Sequence, residues 1–111
     1  MTRRDLLQNE LVAFTEAVKS HYHPEKIIVF GSFAADKVTE NSDLDVIVVA
    51  ESDQDFWSRL SDLSRYCSHR VGMDVLFYTP REYHDLVEKR TFFRDEISSK
   101  GKVIYDRSQS S

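Results

Sequence analysis

The chain has 111 residues, of which 41% are hydrophobic and 31% are charged, and its formal net charge at pH 7 is −4. This length and balance predict one folded domain over residues 1–111 and exclude a disordered chain. The negative charge argues against strong non-specific binding to nucleic acids, because such binding depends on an excess of basic side chains.

Cysteine content and hydropathy further restrict the kinds of site and the cellular location that are expected. Cys67 is the only cysteine, which excludes an internal disulfide bond and a thiolate-rich zinc site. The first residues lack the apolar segment of a signal peptide, and no apolar run approaches the roughly 20 residues that a membrane span needs. We therefore expect a cytoplasmic protein that does not contact a membrane.

The first predicted element is a helix over residues 3–22. Its apolar residues recur at helical spacing and form one stripe, which consists of Leu7, Leu11, Phe14, Val18 and Tyr22. Thr2 is the expected N-cap, with Asp5 three residues later. Pro24 ends the helix, because the residue before a proline avoids the helical conformation.

Two short apolar runs follow, and each has the length of a strand. The first covers residues 27–30 and is mostly β-branched, which predicts a central strand. Gly31 and Ser32 come directly after it and start a predicted helical turn over residues 33–36. A polar loop then leads to the second predicted strand, residues 44–50.

The second half of the chain alternates helices and strands. Ser52 is expected to begin a helix, with Asp55 three residues later in a weak capping box. The buried stripe of this helix, with Trp57 beside it, consists of Phe56, Leu60, Leu63 and Cys67. Residues 71–78 form a third predicted strand.

Thr79 is the expected N-cap of a last helix, which has proline at its first position and runs to about Ser98. Its inward residues are Tyr83, Leu86, Val87, Phe93 and Ile97. Gly101 ends this helix, residues 102–105 form a short edge strand, and residues 106–111 are expected to be a flexible tail.

This order of elements predicts an α/β fold (α+β in some schemes). The link between the first two strands is too short to hold a full crossover helix but long enough for one helical turn and a loop. We expect a mixed β-sheet with helices packed mainly on one face.

Asp43 and Asp45 stand at the start of the second strand, where an apolar strand would not normally carry acids. Residues two apart on a strand point to the same face, with Cα atoms roughly 6.5–7 Å apart. Such carboxylates repel each other unless a proton or a cation joins them, and Mg²⁺ prefers oxygen ligands of this kind. Asp74, near the start of the third strand, joins them if that strand lies beside the second. Three carboxylates can hold two metal ions roughly 3.5–4 Å apart, the arrangement that serves phosphoryl or nucleotidyl transfer.

The turn at Gly31 and Ser32 complements the acids. Glycine lets the backbone approach a ligand closely, and a short helix starting at Ser32 would direct free N–H groups at an anion. Taken singly, Gly-Ser is more often an ordinary turn, and paired aspartates after a serine are more often solvated. Together, between two buried strands, they favour a site for a metal ion and a triphosphate.

The chain resembles the minimal nucleotidyltransferases of the DNA polymerase β superfamily, whose signature is Gly-Ser, ten residues, then Asp-x-Asp on the next strand. That signature stands here as Gly31-Ser32 and Asp43-Leu44-Asp45, with ten residues between Ser32 and Asp43. The resemblance implies a nucleotidyltransferase fold, two Mg²⁺ ions and a nucleoside triphosphate, usually ATP. It assigns metal binding and catalysis to Asp43, Asp45 and Asp74, with Asp74 helping to activate the attacking hydroxyl. It assigns nucleotide binding to Gly31 and Ser32.

The short chain resembles the stand-alone members that are paired with all-helical HEPN proteins as antitoxin and toxin. By that resemblance it transfers AMP from ATP to a tyrosine of a HEPN toxin, as a protein adenylyltransferase, in a homo- or hetero-oligomer. One alternative is a catalytically weak or inactive binding module that neutralises its partner by contact. Another is transfer to a small molecule, although the chain is short for a walled acceptor pocket.

Two positions depart from the family pattern. Many members have arginine directly after Gly-Ser and glycine three residues further on, whereas this chain has Phe33 and Asp36. The positive charge near the triphosphate would then come from other residues, and the candidates are Lys37, Arg81, Lys89, Arg90 and Arg94. The four histidines show no metal-ligand spacing and are assigned no role.

Overall fold

The computed structural model describes residues 1–109 as a four-stranded sheet covered by helices. In chain order the main elements are α1 (Arg3–Tyr22), β1 (Lys26–Phe30), α2 (Gly31–Ala34), β2 (Leu44–Val49), α3 (Phe56–Leu63), β3 (Met73–Tyr78), α4 (Pro80–Lys89), a π-helical segment (Phe93–Ser99) and β4 (Lys102–Asp106). Within residues 1–109, no helix is both long and apolar enough to cross a membrane.

The sheet is mixed, as the sequence predicted. Its strand order is β3-β2-β1-β4, and β1 pairs in antiparallel fashion with both β2 and β4. β2 and β3 are parallel and are linked across α3. The third strand thus lies beside the second, which is the condition under which Asp74 can join Asp43 and Asp45.

Helices cover the two faces of the sheet unequally. The larger apolar cluster joins α1 and the end of α3 to one face, and its fully buried members include Leu7, Phe14, Val18, Val46, Val48, Leu63 and Phe77. The smaller cluster joins the other face to α4 and the π-helical segment, and its buried members are Ile28, Ile47, Val49 and Ile97. Most of the core thus lies on one face, while the second face is only partly covered.

α1 matches its prediction closely. Thr2 caps the helix, and a capping box with Asp5 is complete because each side chain accepts a hydrogen bond from the other residue's backbone N–H. The helix ends at His23, which adopts a left-handed conformation with φ of 49°.

The start of α3 differs from the prediction. Asp55, not Ser52, is the N-cap, and its carboxylate accepts the Ser58 backbone N–H at 2.9 Å. Trp57 does not belong to the buried stripe, because it is 75% exposed. Arg59 is buried instead, because the side of α3 that carries it packs against the end of β3.

The last predicted helix is interrupted. α4 ends at Lys89, Arg90 has an extended backbone, and the chain resumes as the π-helical segment. No glycine or proline stands near Arg90, so the break follows from packing: Phe93 and Ile97 contact the smaller cluster on the sheet.

Secondary structure extends further towards the C-terminus than the sequence predicted. Asp106 is the last residue of β4 and pairs with Lys26, so the edge strand is one residue longer than predicted. Residues 107–109 form a 3₁₀ turn, and the Arg107 backbone N–H donates to the Glu25 carbonyl at 2.9 Å. Residues 110–111 of the predicted tail lie outside the described residues.

Candidate active site

The predicted acidic residues meet where β1, β2 and β3 lie side by side. Asp45 is paired in register with Phe30 of β1 and with Asp74 of β3. Because parallel neighbours in register point to the same face, Asp45 and Asp74 share one face of the sheet. Ile47 and Leu76, two residues further along each strand, belong to the smaller apolar cluster. The acids therefore lie on the partly covered face, at the end of the sheet where β2 and β3 begin.

Asp45 lies at the centre of this acidic group. Its partial burial raises the pKa of its carboxyl group, and the nearby charges of Asp74 and Asp43 raise it further. Crowding of negative charge at a half-buried carboxylate is relieved by a proton or by a cation.

The turn after β1 is in contact with this group. Gly31 has φ of +73°, and a Cβ atom placed on it would overlap the Asp45 carboxylate. Glycine is thus required here both by the left-handed backbone and by the space that Asp45 occupies. Ser32 follows as the second residue of α2, is partly exposed, and its carbonyl accepts the Lys37 backbone N–H at 2.9 Å.

Asp43 occupies the rim of the site, and its side chain is 51% exposed. A Cβ atom on Gly72 would lie 2.7 Å from the Asp43 Cγ atom, so this second glycine leaves room for the carboxylate. Arg3 approaches from α1: its terminal nitrogen lies 3.6 Å from Asp43 Oδ1, and its Nε donates to the Ser42 carbonyl at 2.9 Å.

The two departures from the family pattern are joined by a single residue of α1. The Arg4 guanidinium lies 4.9 Å from the centre of the Phe33 ring and 2.7 Å from Asp36 Oδ1. Asp36 has φ of +58°, a left-handed conformation that glycine adopts without strain and that aspartate tolerates better than most residues. The position needs this backbone turn, and Arg4 pairs with the carboxylate that replaces glycine.

The basic residues proposed as triphosphate contacts are not bonded to the acids across the residues that the structure describes. All five are exposed: Lys37, Arg81, Lys89, Arg90 and Arg94. Among residues 1–109, no hydrogen bond or ion pair joins any of them to the three acids. Arg94 instead donates to the Glu88 carbonyl at 2.7 Å. Two basic residues that the sequence did not predict, Arg3 and Arg4, contact Asp43 and the connector instead.

Gly72, Arg3 and Arg4 carried only weak signals in the sequence. Two arginines in the first turn of a helix oppose the helix dipole, which favours acidic residues there. That conflict indicated some tertiary role without showing which one. Gly72 stands at the start of a strand, where glycine is commonly found for many reasons.

The donor set fits a hard divalent cation. Three carboxylates supply the oxygen ligands that Mg²⁺ prefers. The pKa of Asp45 is raised first by partial burial and then by the charges of Asp74 and Asp43, and a cation would neutralise those charges. Within the described part of the chain, no three acidic, histidine or cysteine side chains are already close enough to hold an ion. The acids are therefore clustered but not closed into a cage, and Asp43 is engaged with Arg3.

A nucleotidyltransferase family model, described as "Polymerase beta, Nucleotidyltransferase", matches residues 13–110. Two proteins of Methanocaldococcus jannaschii, each named "Putative protein adenylyltransferase", are similar in sequence. One is 32% identical over 96 residues, which cover 83% of this chain and 91% of the relative. The other is 30% identical over 81 residues, which cover 72% of this chain and 81% of the relative. The chain belongs to the polymerase β-type nucleotidyltransferases, and within them it is a minimal nucleotidyltransferase.

Two solved structures share the fold. A crystal structure described as a "putative nucleotidyltransferase" from Sulfolobus solfataricus superposes with a TM-score of 0.71 at 16% identity, covering 96% of this chain and 86% of that one. A crystal structure of a toxin–antitoxin with AMP-PNP superposes with a TM-score of 0.54 at 20% identity, covering 91% and 74%. At such identities the likeness shows the fold alone, and it confirms the predicted fold class.

Proposed function

We propose that this nucleotidyltransferase transfers AMP from ATP to a hydroxyl group of a protein partner and thereby acts as an antitoxin. The observation that carries the proposal is the position of Asp45. Its carboxylate lies near those of Asp43 and Asp74 and against Gly31 of the glycine-serine turn. A cation held by the acids would thus lie next to an anion held by the turn.

The proposal divides the site into a metal side, formed by the acids, and a phosphate side, formed by the turn. Asp43, Asp45 and Asp74 would hold Mg²⁺, which when bound supplies positive charge to neutralise the triphosphate and the leaving group. The turn of Gly31 and Ser32 would bind the triphosphate: Gly31 leaves room for the Asp45 carboxylate beside the turn, and Ser32 offers a hydroxyl donor. Asp74, which is exposed and lies on the edge strand β3, would accept the proton of the attacking hydroxyl.

The reaction balances as a single in-line displacement. The acceptor oxygen forms a bond to the α-phosphorus of ATP, the bond from that phosphorus to the bridging oxygen of the β-phosphate breaks, and pyrophosphate leaves. The acceptor's proton passes to the carboxylate base. The product is the acceptor carrying AMP through a phosphodiester bond.

A protein acceptor is favoured by the names of the sequence relatives, both of which are called protein adenylyltransferases. The structural neighbour that is a toxin–antitoxin with AMP-PNP supports a toxin as that partner. The resemblance described above points to a tyrosine of a HEPN toxin. Two Mg²⁺ ions and ATP complete the proposed reaction.

Label transfer tests the proposal directly. The purified chain is incubated with ATP labelled at the α-phosphate, Mg²⁺ and a HEPN protein encoded beside it. We expect label on the partner's tyrosine, and loss of label with Asp43→Asn, Asp45→Asn or EDTA. The matched control is Asp53→Asn, an exposed aspartate outside the site, which should transfer label like the wild type. Equal labelling by the wild type and Asp43→Asn would reject catalysis by these acids.

One observation favours a second function, neutralisation by contact alone. Asp43 is paired with Arg3, and the three acids are not closed around an ion-sized space. In this alternative the double variant Asp43→Asn/Asp45→Asn still protects cells against the partner. Loss of protection, with binding to the partner retained, would reject it in favour of catalysis.

A further inference from the structure

α1 begins with two arginines that hold the two ends of the connector between the glycine-serine turn and β2. Arg4 contacts Phe33 and Asp36 at the first end, and Arg3 contacts Asp43 at the other. Cations at this end of a helix are disfavoured by the helix dipole. The two arginines are therefore placed for their contacts with the connector rather than for the stability of the isolated helix.

The two contacts of Arg3 differ in kind. Its Nε bond to the Ser42 carbonyl is 2.9 Å long and partly buried, since Ser42 is only 8% exposed, so this contact is a directional anchor. The approach to Asp43 Oδ1 is 3.6 Å, beyond hydrogen-bond distance, and Asp43 is half exposed. A loose ion pair in such a place contributes little to stability and is readily exchanged for another cation.

We propose that Arg3 is a positioning residue of the metal side of the site: it is the counter-cation of Asp43 before metal binds, and it yields that carboxylate to a divalent ion. The bond to the Ser42 carbonyl keeps Arg3 and the start of β2 in place during the exchange. This inference rests on the proposed function, because it concerns the same acidic residues.

The guanidinium has a measurable electrostatic consequence. It neutralises Asp43 when no metal is present, and it repels a divalent ion once that ion is bound nearby. At separations of several ångströms in a solvent-exposed site, removing one positive charge should tighten binding of a divalent ion about 3- to 10-fold.

The test is direct measurement of Mn²⁺ binding to the purified full chain, by electron paramagnetic resonance or calorimetry, without ATP. Arg3→Gln removes the charge but retains a donor for the Ser42 carbonyl, and it should bind Mn²⁺ about 3- to 10-fold more tightly than the wild type. Arg3→Lys keeps the charge and should restore the wild-type affinity. Arg4→Gln is the matched control: it removes the same charge from the same helical turn and loosens the connector without touching Asp43. It should change the affinity by less than about twofold.

Thermal unfolding gives a second readout that a merely structural arginine would not produce. Without metal, Arg3→Gln should unfold at a lower temperature than the wild type, because Asp43 loses its counter-ion. With saturating Mn²⁺ that difference should disappear or reverse, because the wild type has then given up the same ion pair and the variant binds the ion more tightly.

Two results would overturn the inference while leaving the proposed function intact. One is an unchanged or weaker Mn²⁺ affinity in Arg3→Gln, and the other is an equal gain in Arg4→Gln. If the wild type bound no Mn²⁺ at all, the proposed metal site itself would be rejected, and the inference with it.

Discussion

The carboxylate of Asp45 lies directly against Gly31, so the acidic strand and the glycine-serine turn are in contact in space. The contact follows from the register of the antiparallel pair, in which Phe30, the residue before Gly31, is opposite Asp45. Ten residues of chain separate Ser32 from Asp43, yet the sheet closes that loop. The ten-residue spacing of the motif is therefore the connection that leads the chain from the end of β1 back to the start of β2 beside it.

Gly31→Ala should disturb both folding and the site. Alanine in the left-handed conformation at this position costs about 1–2 kcal/mol, and its methyl group also overlaps the Asp45 carboxylate. We expect a loss of unfolding free energy of at least that size in urea titrations, together with loss of label transfer. Ala35→Gly, just beyond α2, is a control in the same segment and should keep label transfer. A fully stable and active Gly31→Ala variant would contradict this account of the turn.

Gly72→Ala should affect the site more than the fold. Gly72 has no left-handed φ, so the backbone accepts alanine, but the new Cβ atom would lie 2.7 Å from atoms of the Asp43 carboxylate. The flexible carboxylate must then move. We expect a change in unfolding free energy below about 1 kcal/mol and Mn²⁺ binding weakened roughly tenfold. Calorimetry and urea unfolding measure the two quantities, and unchanged Mn²⁺ affinity would show that Gly72 does not set the position of Asp43.

Asp45→Asn should stabilise the metal-free protein while abolishing label transfer. Burial and the neighbouring acids raise the pKa of Asp45, so its ionised form is disfavoured in the folded state. This destabilisation is absent below the ordinary value of 3.8 and grows as the pH rises through the raised pKa. We expect a gain of roughly 0.5–1 kcal/mol at pH 7.

The pH dependence provides the check on that prediction. In urea unfolding, the advantage of Asp45→Asn should shrink as the pH is lowered from 7 toward 4, because the wild-type carboxylate then takes up a proton. Asp53→Asn, which changes an exposed aspartate, should show no such pattern. A constant advantage at all pH values would point to packing rather than to charge.

Glu82→Gln should destabilise the fold without involving the candidate site. The Glu82 carboxylate accepts two hydrogen bonds from the buried Arg59, at 2.7 and 3.1 Å, and Arg59 also donates to the Phe77 carbonyl. These contacts join α3, the end of β3 and the cap of α4. Weakening the charge pair should cost about 2 kcal/mol of unfolding free energy at pH 7. Glu88→Gln, on the exposed side of α4 with His84, should cost less than about 0.5 kcal/mol.

The effect of pH on the stability contributed by Glu82 is opposite in sign to the effect for Asp45. Hydrogen bonds from Arg59 lower the pKa of Glu82 below its ordinary value of 4.5. The stabilisation is therefore complete above pH 4.5 and is lost as the pH falls through the lowered pKa. The difference between wild type and Glu82→Gln should disappear in acid, and a difference that persisted there would reject this explanation.

Local features of this protein were predictable because they depend on residues a few positions apart. The capping boxes at Thr2 and Thr79 are complete in the structure, and the stripe of α1 is buried at Leu7, Leu11 and Phe14. The strands were predicted from short apolar runs, and the mixed sheet from the short link between the first two strands. The family was predicted from the spacing between Gly-Ser and Asp-x-Asp. The assignment of Asp43, Asp45 and Asp74 as metal ligands remains a prediction, although the three lie together.

Contacts between distant segments were decided only in the tertiary structure. Arg3 and Ser42 are 39 positions apart, and Arg59 and Glu82 are 23 apart, so no short window of sequence shows either contact. The break at Arg90 is of the same kind, since it results from packing of Phe93 on the sheet. Sequence by itself determined which residues can form helices, strands and an acidic motif, because periodicity and capping are local. Two features depended on the packing of the sheet against α1. One is the identity of the cation that contacts Asp43, and the other is the identity of the glycines that leave space for the carboxylates.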